Sequence, residues 1–211
     1  MKISASFLSI KENIKENISK LTKTDIDYLH LDIMDGKFVS NKTYSIDEIK
    51  EIINYDKKLD VHLMVLDIKK YIDDFKCLNP EFITFHYETN YDIMDLISYI
   101  KSLNIKVGIS ICPDTDVKVL DKYLKYVDLI LVMSVVPGAG GQQFIESSID
   151  KINYLKDERI KNNYSYLISV DGGINDETIK LVNSDIAVSG SFITNGDYNE
   201  NVLKLKENKY E

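Results

Sequence analysis

The feature that most constrains the fold of this chain is a repeated alternation between short apolar runs and segments of helical periodicity. The runs are rich in Ile, Leu and Val, as buried strands are. Each is followed by apolar residues three or four positions apart, as in helices that cover a sheet. Eight such pairs follow one another along the chain. The predicted strands are residues 2–7, 28–33, 59–64, 82–85, 106–110, 129–133, 166–170 and 186–189.

The predicted helices occupy the intervals between these strands. One helix start is marked by Ser45 with Glu48 three residues later, which is the pattern of a capping box. The helical segments are predicted near residues 10–21, 46–53, 68–75, 91–103, 117–124, 149–155, 176–182 and 201–206.

Strict alternation of strands and helices predicts an α/β protein with a parallel sheet. Eight units favour a closed (β/α)8 barrel, the TIM barrel, over an open doubly wound sheet, which is the alternative. The chain has 211 residues, which suits a single domain, and no linker interrupts the series. We therefore expect residues 1–211 to form one barrel domain.

Composition narrows the partners of this domain. The net charge is −8 and the basic residues are scattered, so a nucleic-acid partner is not expected. No window approaches the roughly 20 apolar residues of a membrane-spanning helix, and the first ten residues lack a signal-peptide core, which predicts a cytoplasmic protein without a membrane partner. Cys77 and Cys112 lie apart without a CxxC motif, which predicts two buried thiols rather than a disulfide or zinc knuckle.

In a barrel of this kind the chemistry lies where strands end and loops begin. His30 and Asp32 are two residues apart on strand two, so both point to the same side of that strand. All three histidines of the chain fall near the same end of the predicted barrel. The polar residues at this end are Ser6, His30, Asp32, His62, His86 and Asp171.

Four of these residues have the chemistry of a metal site. His30, Asp32, His62 and Asp171 offer two imidazoles and two carboxylates, a set suited to Zn(II), Fe(II), Mn(II) or Co(II). The alternative is that each histidine is a hydrogen-bonded core or rim residue. Convergence of four ligand-type residues from three strands favours the metal. His86 has no such partner on its own strand and is expected to support the ligands from behind.

Glycine-containing loops follow strands six, seven and eight, at residues 136–142, 171–173 and 189–191. Backbone N–H groups of glycine loops can approach an anion closely, and barrels often bind phosphate at these loops beside a short extra helix. The alternative is three tight turns. No Walker A or GxGxxG motif is present, so a nucleotide cofactor is not indicated.

Taken together, these motifs resemble the ribulose-phosphate 3-epimerase family over residues 2 to about 193. The opening strand reads ISASFLS at residues 3–9, and the segment after strand two reads HLDIMDGKFVSN at 30–41. The remaining matches are HLMV at 62–65, MSVVPGAGGQ at 133–142, VDGGI at 170–174 and SGS at 189–191.

The resemblance implies an isomerase of carbohydrate metabolism that interconverts D-ribulose 5-phosphate and D-xylulose 5-phosphate in the pentose phosphate pathway. One divalent metal, zinc or iron most commonly, would be held by His30, Asp32, His62 and Asp171, and Asp32 and Asp171 would also be the acid/base pair. The family assembles as dimers or hexamers, which implies a homo-oligomer. The resemblance implies that the ketose phosphate contacts Ser6, His62, Gly138, Ala139, Gly140, Gly141, Asp171, Gly172, Gly173, Gly190 and Ser191.

Some positions depart from the family pattern. Ala5 and Ser40 each replace a usual proline, Val136 stands where Asn or Glu is common, and Ala139 replaces a usual Phe. The changes at Val136 and Ala139 bear on loop closure and substrate fit.

Three alternative functions compete with this one, and the residues present argue against the second and the third. The first strands also resemble D-allulose-6-phosphate 3-epimerases, which act on a ketohexose phosphate. A non-catalytic sugar-phosphate-binding barrel would lack Asp32 or Asp171, and both are present. A Schiff-base aldolase would need a lysine at a strand end, and none is predicted there.

Overall fold

Eight parallel strands close into a barrel in the order β1 to β8, with β8 pairing back onto β1. A computed structural model describes residues 1–53 and 57–208. The closed ring of eight parallel strands confirms the predicted (β/α)8 barrel. The strands are β1 (Lys2–Ser6), β2 (Tyr28–Met34), β3 (Lys58–Met64), β4 (Phe82–His86), β5 (Lys106–Ile111), β6 (Leu129–Met133), β7 (Leu167–Asp171) and β8 (Ile186–Ser189).

Helices cover the outside of this barrel. Helix α3 shows the pattern, since Ile68, Ile72 and Phe75 lie on one buried face. The predicted capping box of Ser45 and Glu48 is confirmed at the start of α2. The α-helices are α1 (Ile14–Thr22), α2 (Ile46–Ile52), α3 (Ile68–Phe75), α4 (Ile93–Ser102), α5 (Ser148–Asn162), α6 (Ser191–Thr194) and α7 (Tyr198–Glu207).

Side chains that point into the barrel divide it into an apolar floor and a polar upper part. The first residues of the even-numbered strands form the floor, because strand residues of like parity share one face. These residues are Tyr28, Phe82, Leu129 and Ile186, and they pack as one buried cluster. The interior residues further along the strands include His30, Asp60 and His62, so the polar groups lie toward the carboxyl ends of the strands.

Two of the predicted α-helices are wrong. Residues 117–126 contain two 3-10 helices, Val117–Leu120 and Leu124–Tyr126, and residues 176–182 contain the 3-10 helix Thr178–Leu181. The apolar residues that suggested α-helices are three positions apart, as in Val117 and Leu120. A 3-10 turn also places residues three apart on one side, so this spacing does not distinguish the two.

The prediction that both cysteines are buried is also wrong. Cys77 is exposed in the 3-10 helix Lys76–Leu78 that follows α3, and Cys112 is only partly buried after β5. Both thiols are free.

Within residues 1–53 and 57–208, no helix is both long and apolar enough to cross a membrane. The prediction of one domain over residues 1–211 includes residues outside the described ranges and stays a prediction.

Candidate metal and active site

Strands β2, β3 and β7 bring the four predicted ligands together at the mouth of the barrel. Their donor atoms all lie within 4.8 Å of one another. His30 Nε2 lies 3.4 Å from Asp32 Oδ1 and 3.8 Å from Asp171 Oδ2. His62 Nδ1 lies 3.3 Å and 3.7 Å from the same two oxygens. One nitrogen of each ring and one oxygen of each carboxylate therefore face a common point.

The chemistry of this donor set fits a cation. His30 Nε2 is buried and makes no hydrogen bond within the described part of the chain, which is costly for a polar atom unless something binds it. Two nitrogens and two carboxylate oxygens are the ligands that divalent transition metals accept in proteins. The site can therefore bind a metal ion.

The buried negative charges at the site also favour a positive group there. Burial by itself would lower the pKa of His30, but the charges of Asp60 and Asp32 outweigh it and raise this pKa well above its usual value. In the metal-free site a protonated imidazole therefore offsets the buried carboxylates. A bound metal would supply this positive charge instead.

The two aspartates differ in their protonation. Burial would raise the pKa of Asp32, but the charge of His30 and the proximity of His62 hold it well below its usual range. Burial and the negative charge of Asp32 raise the pKa of Asp171 to about 7. The metal-free pair therefore favours one carboxylate and one carboxylic acid, whereas a bound cation would favour ionisation of both.

Asp60 orients His30, and the sequence interpretation missed this role. The Asp60 Oδ2 atom lies 2.8 Å from His30 Nδ1 and also accepts a 2.8 Å hydrogen bond from the Ser4 hydroxyl. A carboxylate at Nδ1 holds the hydrogen there and leaves Nε2 free to bind a metal. The sequence indicates only that Asp60, two residues before His62, shares its interior face, because the contact with His30 depends on the register of β2 and β3.

His86 lies behind His62, as predicted, at the end of β4. The two Nε2 atoms are 2.9 Å apart, and both imidazoles are fully buried. Phe38 packs against the His86 ring with a centroid distance of 4.8 Å. His86 therefore contacts a candidate ligand without reaching the cleft above.

A cleft opens above the four candidate ligands and is lined by Asp32 and Asp171. Met34, Met64 and Met133 form an apolar part of its lining. Of the predicted substrate contacts, His62 alone does not line the cleft, because it is fully buried below it. The others do line it, namely Ser6, Gly138, Ala139, Gly140, Gly141, Asp171, Gly172, Gly173, Gly190 and Ser191.

The turn after β7 requires its two glycines. Gly172 has a φ of 120°, and a Cβ atom there would lie 2.4 Å from Val135. Gly173 has a φ of 66°, and its Cβ would lie 2.5 Å from the backbone nitrogen of Phe144. A side chain at either position would force the loops after β6 and β7 apart, since neither the φ nor the space suits one.

The loop after β6 is braced from within and from the loop after β2. The Gln142 amide donates to the carbonyls of Val136 and Ala139 at 2.7 and 2.8 Å. Asn41 Nδ2 donates to the Gly138 carbonyl at 2.6 Å, which joins the loop after β2 to the loop after β6. Of the two unusual residues, Val136 is exposed and Ala139 faces the cleft.

Fold and site together define a (β/α)8 barrel enzyme with a His/Asp metal-binding group at the carboxyl end of its strands. The ribulose-phosphate 3 epimerase family model matches residues 2–194. The chain belongs to the ribulose-phosphate 3-epimerase family and is an enzyme of that family.

Individual relatives agree with this assignment. A ribulose-phosphate 3-epimerase of Treponema pallidum (strain Nichols) is 40% identical over 173 residues, covering 80% of this chain and 79% of the relative. One of Aquifex aeolicus (strain VF5) is 38% identical over 202 residues, covering 92% of this chain and 89% of the relative.

Among solved structures the chain is similar to 3-hexulose-6-phosphate synthase from Salmonella typhimurium, with a TM-score of 0.68 and 20% identity. The match covers 98% of this chain and 97% of that one. KGPDC from Streptococcus mutans gives a TM-score of 0.68 at 13% identity, with 98% and 96% covered. At these identities the likeness concerns the barrel fold alone.

Proposed function

We propose that this enzyme is a metal-dependent epimerase that interconverts D-ribulose 5-phosphate and D-xylulose 5-phosphate by moving a proton at C3. The observation that carries the proposal is the meeting of Asp32 and Asp171, from β2 and β7, at one point with two imidazole nitrogens. The named relatives at up to 40% identity support this substrate.

The C3 proton is acidified by the neighbouring C2 carbonyl, but it remains too weak an acid for an unaided carboxylate. His30, Asp32, His62 and Asp171 would hold one divalent ion, Zn²⁺ or Fe²⁺ with Mn²⁺ or Co²⁺ as alternatives, which supplies Lewis-acid stabilisation of the enediolate oxygens. The low-polarity surface of Met34, Met64 and Met133 strengthens electrostatic interactions at this point.

Inversion at C3 needs proton removal on one face of the sugar and proton return on the other. Asp32 and Asp171 come from strands on either side of the β1–β8 pair, so their carboxylates can flank a sugar lying across the mouth. The Ser6 hydroxyl donates to Asp32 Oδ2 at 2.7 Å and holds this carboxylate in place. We infer that the two aspartates are the acid/base pair.

The glycine loops are the proposed phosphate site. Gly138 to Gly141, Gly172 with Gly173, and Gly190 with Ser191 all line the cleft above Asp171. Backbone N–H groups there can bind the phosphate and hold C3 between the aspartates, which contributes orientation rather than bond making.

The test is turnover of ribulose 5-phosphate against allulose 6-phosphate by enzyme loaded with each metal in turn. Preference for the pentose phosphate would support the proposal. Preference for allulose 6-phosphate would assign the hexose activity, for which Ala139 leaves room where the family has a larger residue. Binding of either sugar without turnover would indicate a non-catalytic barrel and would contradict the proposal.

We further propose a homo-oligomer, a dimer or hexamer, on the basis of the family, and sedimentation of the purified protein tests this. Cytoplasmic location, a role in the pentose phosphate pathway and the absence of a nucleic-acid partner stay predictions.

A further inference from the structure

A hydrogen-bonded relay of three polar side chains, His62, His86 and Glu88, runs away from the proposed metal site, and its two imidazoles are buried. His62 Nε2 and His86 Nε2 are 2.9 Å apart, and His86 Nδ1 lies 3.2 Å from Glu88 Oε2. The three residues come from β3, β4 and the loop after β4, respectively. Neither the fold nor the proposed acid/base chemistry accounts for Glu88.

Two neutral imidazoles that face each other through one nitrogen apiece share a single hydrogen, so their tautomers are coupled. For His62 Nδ1 to bind a cation, that nitrogen must be free of hydrogen, and the hydrogen of His62 must lie on Nε2. His86 Nε2 is then the acceptor. The hydrogen of His86 must therefore lie on Nδ1, where it faces Glu88.

Glu88 is positioned to accept a hydrogen bond from His86 Nδ1. Its Oε1 atom accepts a 2.8 Å hydrogen bond from the backbone N–H of Cys112 and another from the Thr115 hydroxyl. Its other oxygen is left for His86. An ionised carboxylate only accepts hydrogen bonds, and these bonds anchor it to the loop after β5, so it stabilises one tautomer of His86.

Asp32 acts on the same relay but favours the opposite tautomer of His62. Its Oδ1 atom lies 3.3 Å from His62 Nδ1 and attracts a hydrogen to the nitrogen that a metal needs. Without Glu88, the neutral pair would place its shared hydrogen on His86 Nε2 and leave His62 Nδ1 protonated.

We propose that Glu88 is a positioning residue that, through His86, holds His62 in the tautomer whose Nδ1 can bind the metal. The inference rests on the metal site of the proposed function. Both histidine ligands would then be oriented by a carboxylate, since Asp60 contacts His30 directly and Glu88 acts on His62 through the His86 imidazole.

A second metal at His86, Glu88 and Cys112 is the rival interpretation, because their donor atoms also lie within 4.8 Å of one another. A metal on His86 Nδ1 would place the hydrogen of that ring on Nε2 and protonate His62 Nδ1. With neutral imidazoles the two sites therefore exclude each other. Burial and the negative charge of Glu88 also raise the pKa of the Cys112 thiol to about 12, which disfavours the thiolate.

The variant that tests the proposal is Glu88→Gln. The Cys112 N–H and Thr115 hydroxyl still need an acceptor, so the amide oxygen of Gln turns toward them and its NH2 group faces His86. That group donates a hydrogen bond instead of accepting one, and it favours the opposite tautomers of His86 and His62. The matched control is Thr115→Val, which removes a hydrogen bond to the same carboxylate but leaves the contact with His86 intact.

Two measurements apply to each protein. Chelator competition gives the Zn²⁺ affinity and the number of ions bound per chain. Nitrogen-15 NMR of histidine-labelled, metal-free protein shows which ring nitrogen carries hydrogen, and with three histidines in the chain the signals of His86 are identified by their loss in His86→Phe.

We expect wild type and Thr115→Val to bind one Zn²⁺ with similar affinity and to show His86 protonated at Nδ1. Glu88→Gln should move that hydrogen to Nε2 and weaken Zn²⁺ binding about 10- to 100-fold. If Glu88→Gln does not fold, His86→Phe carries the test with the same expected loss of affinity.

An affinity within twofold of wild type in the folded variant, or an unmoved hydrogen on His86, would overturn the inference. Two bound Zn²⁺ ions per wild-type chain would overturn the inference in favour of the second metal site. Failure of the wild-type protein to bind any Zn²⁺ would instead contradict the proposed metal site, and the inference would fall with it.

Discussion

The Ser6 hydroxyl at the end of β1 donates a 2.7 Å hydrogen bond to Asp32 Oδ2 on the neighbouring strand, while Oδ1 of the same carboxylate faces the two histidines. The two oxygens of Asp32 therefore have different partners. One is fixed by a neutral donor at the edge of the cleft, and the other belongs to the metal-binding group. This division lets Asp32 serve as a ligand and still present an oriented oxygen toward the cleft.

Replacement of Ser6 by Ala tests this arrangement. A hydrogen bond to a charged group contributes about 1.5–3 kcal/mol, so we expect kcat to fall roughly tenfold or more while the metal content stays normal. Steady-state kinetics with metal analysis of the same sample checks this. A parallel loss of metal and activity would show that Ser6 supports the ligand rather than the reacting carboxylate.

Metal removal should abolish turnover. We expect the purified protein to carry about one divalent transition metal per chain, since four ligands converge on a single point. Elemental analysis before and after chelation, followed by assay and re-addition of each metal, measures this. Full activity in a preparation that contains no metal would contradict the proposed mechanism.

Asp60→Asn should weaken metal binding without contact between Asp60 and the metal. The amide can present its NH2 group to His30 Nδ1 and favour the wrong tautomer, so we expect an affinity loss of about 10- to 100-fold. The matched control is Asp47→Asn on the exposed side of α2, which should leave the affinity unchanged. Equal affinities in the two variants would mean that Asp60 has only a packing role.

How far the sequence predicts this site depends on whether a contact follows from strand parity or from strand register. Parity along β2 was enough to place His30 and Asp32 on one face. The contact of His30 with Asp60 depends on register, because these residues are paired across β2 and β3. A single sequence does not show that pairing. Glu88 is further removed, since it is positioned by the loop after β5.

Gly140 tests the proposed phosphate site. A Cβ atom there would lie 2.9 Å from the Ser9 hydroxyl, which can move aside, so Gly140→Leu should fold and project its side chain at the cleft. We expect KM for the phosphorylated sugar to rise about tenfold, because the phosphate would be pushed from the backbone donors. Val136→Leu, at an exposed position of the same loop, is the control. An unchanged KM in Gly140→Leu would place the phosphate elsewhere.

The two-aspartate mechanism makes a prediction about isotope exchange. If one aspartate removes the C3 proton and the other delivers a solvent-derived proton to the opposite face, xylulose 5-phosphate formed in heavy water must carry deuterium at C3 from the first turnover. NMR of the product at low conversion measures this before the reverse reaction adds label.

A single shuttling base would return part of the original proton, so substantial protium at C3 would refute the assignment of two bases even if the protein is an epimerase. Asp171→Asn supplies the matching variant. It should abolish net epimerisation, because the amide can neither remove nor deliver the proton on its face of the sugar. Asp171 is also a proposed ligand, so the loss counts toward catalysis only if the variant retains its metal. A variant that kept both its metal and near-normal turnover would remove Asp171 from the catalytic pair and leave Asp32 to act with another group.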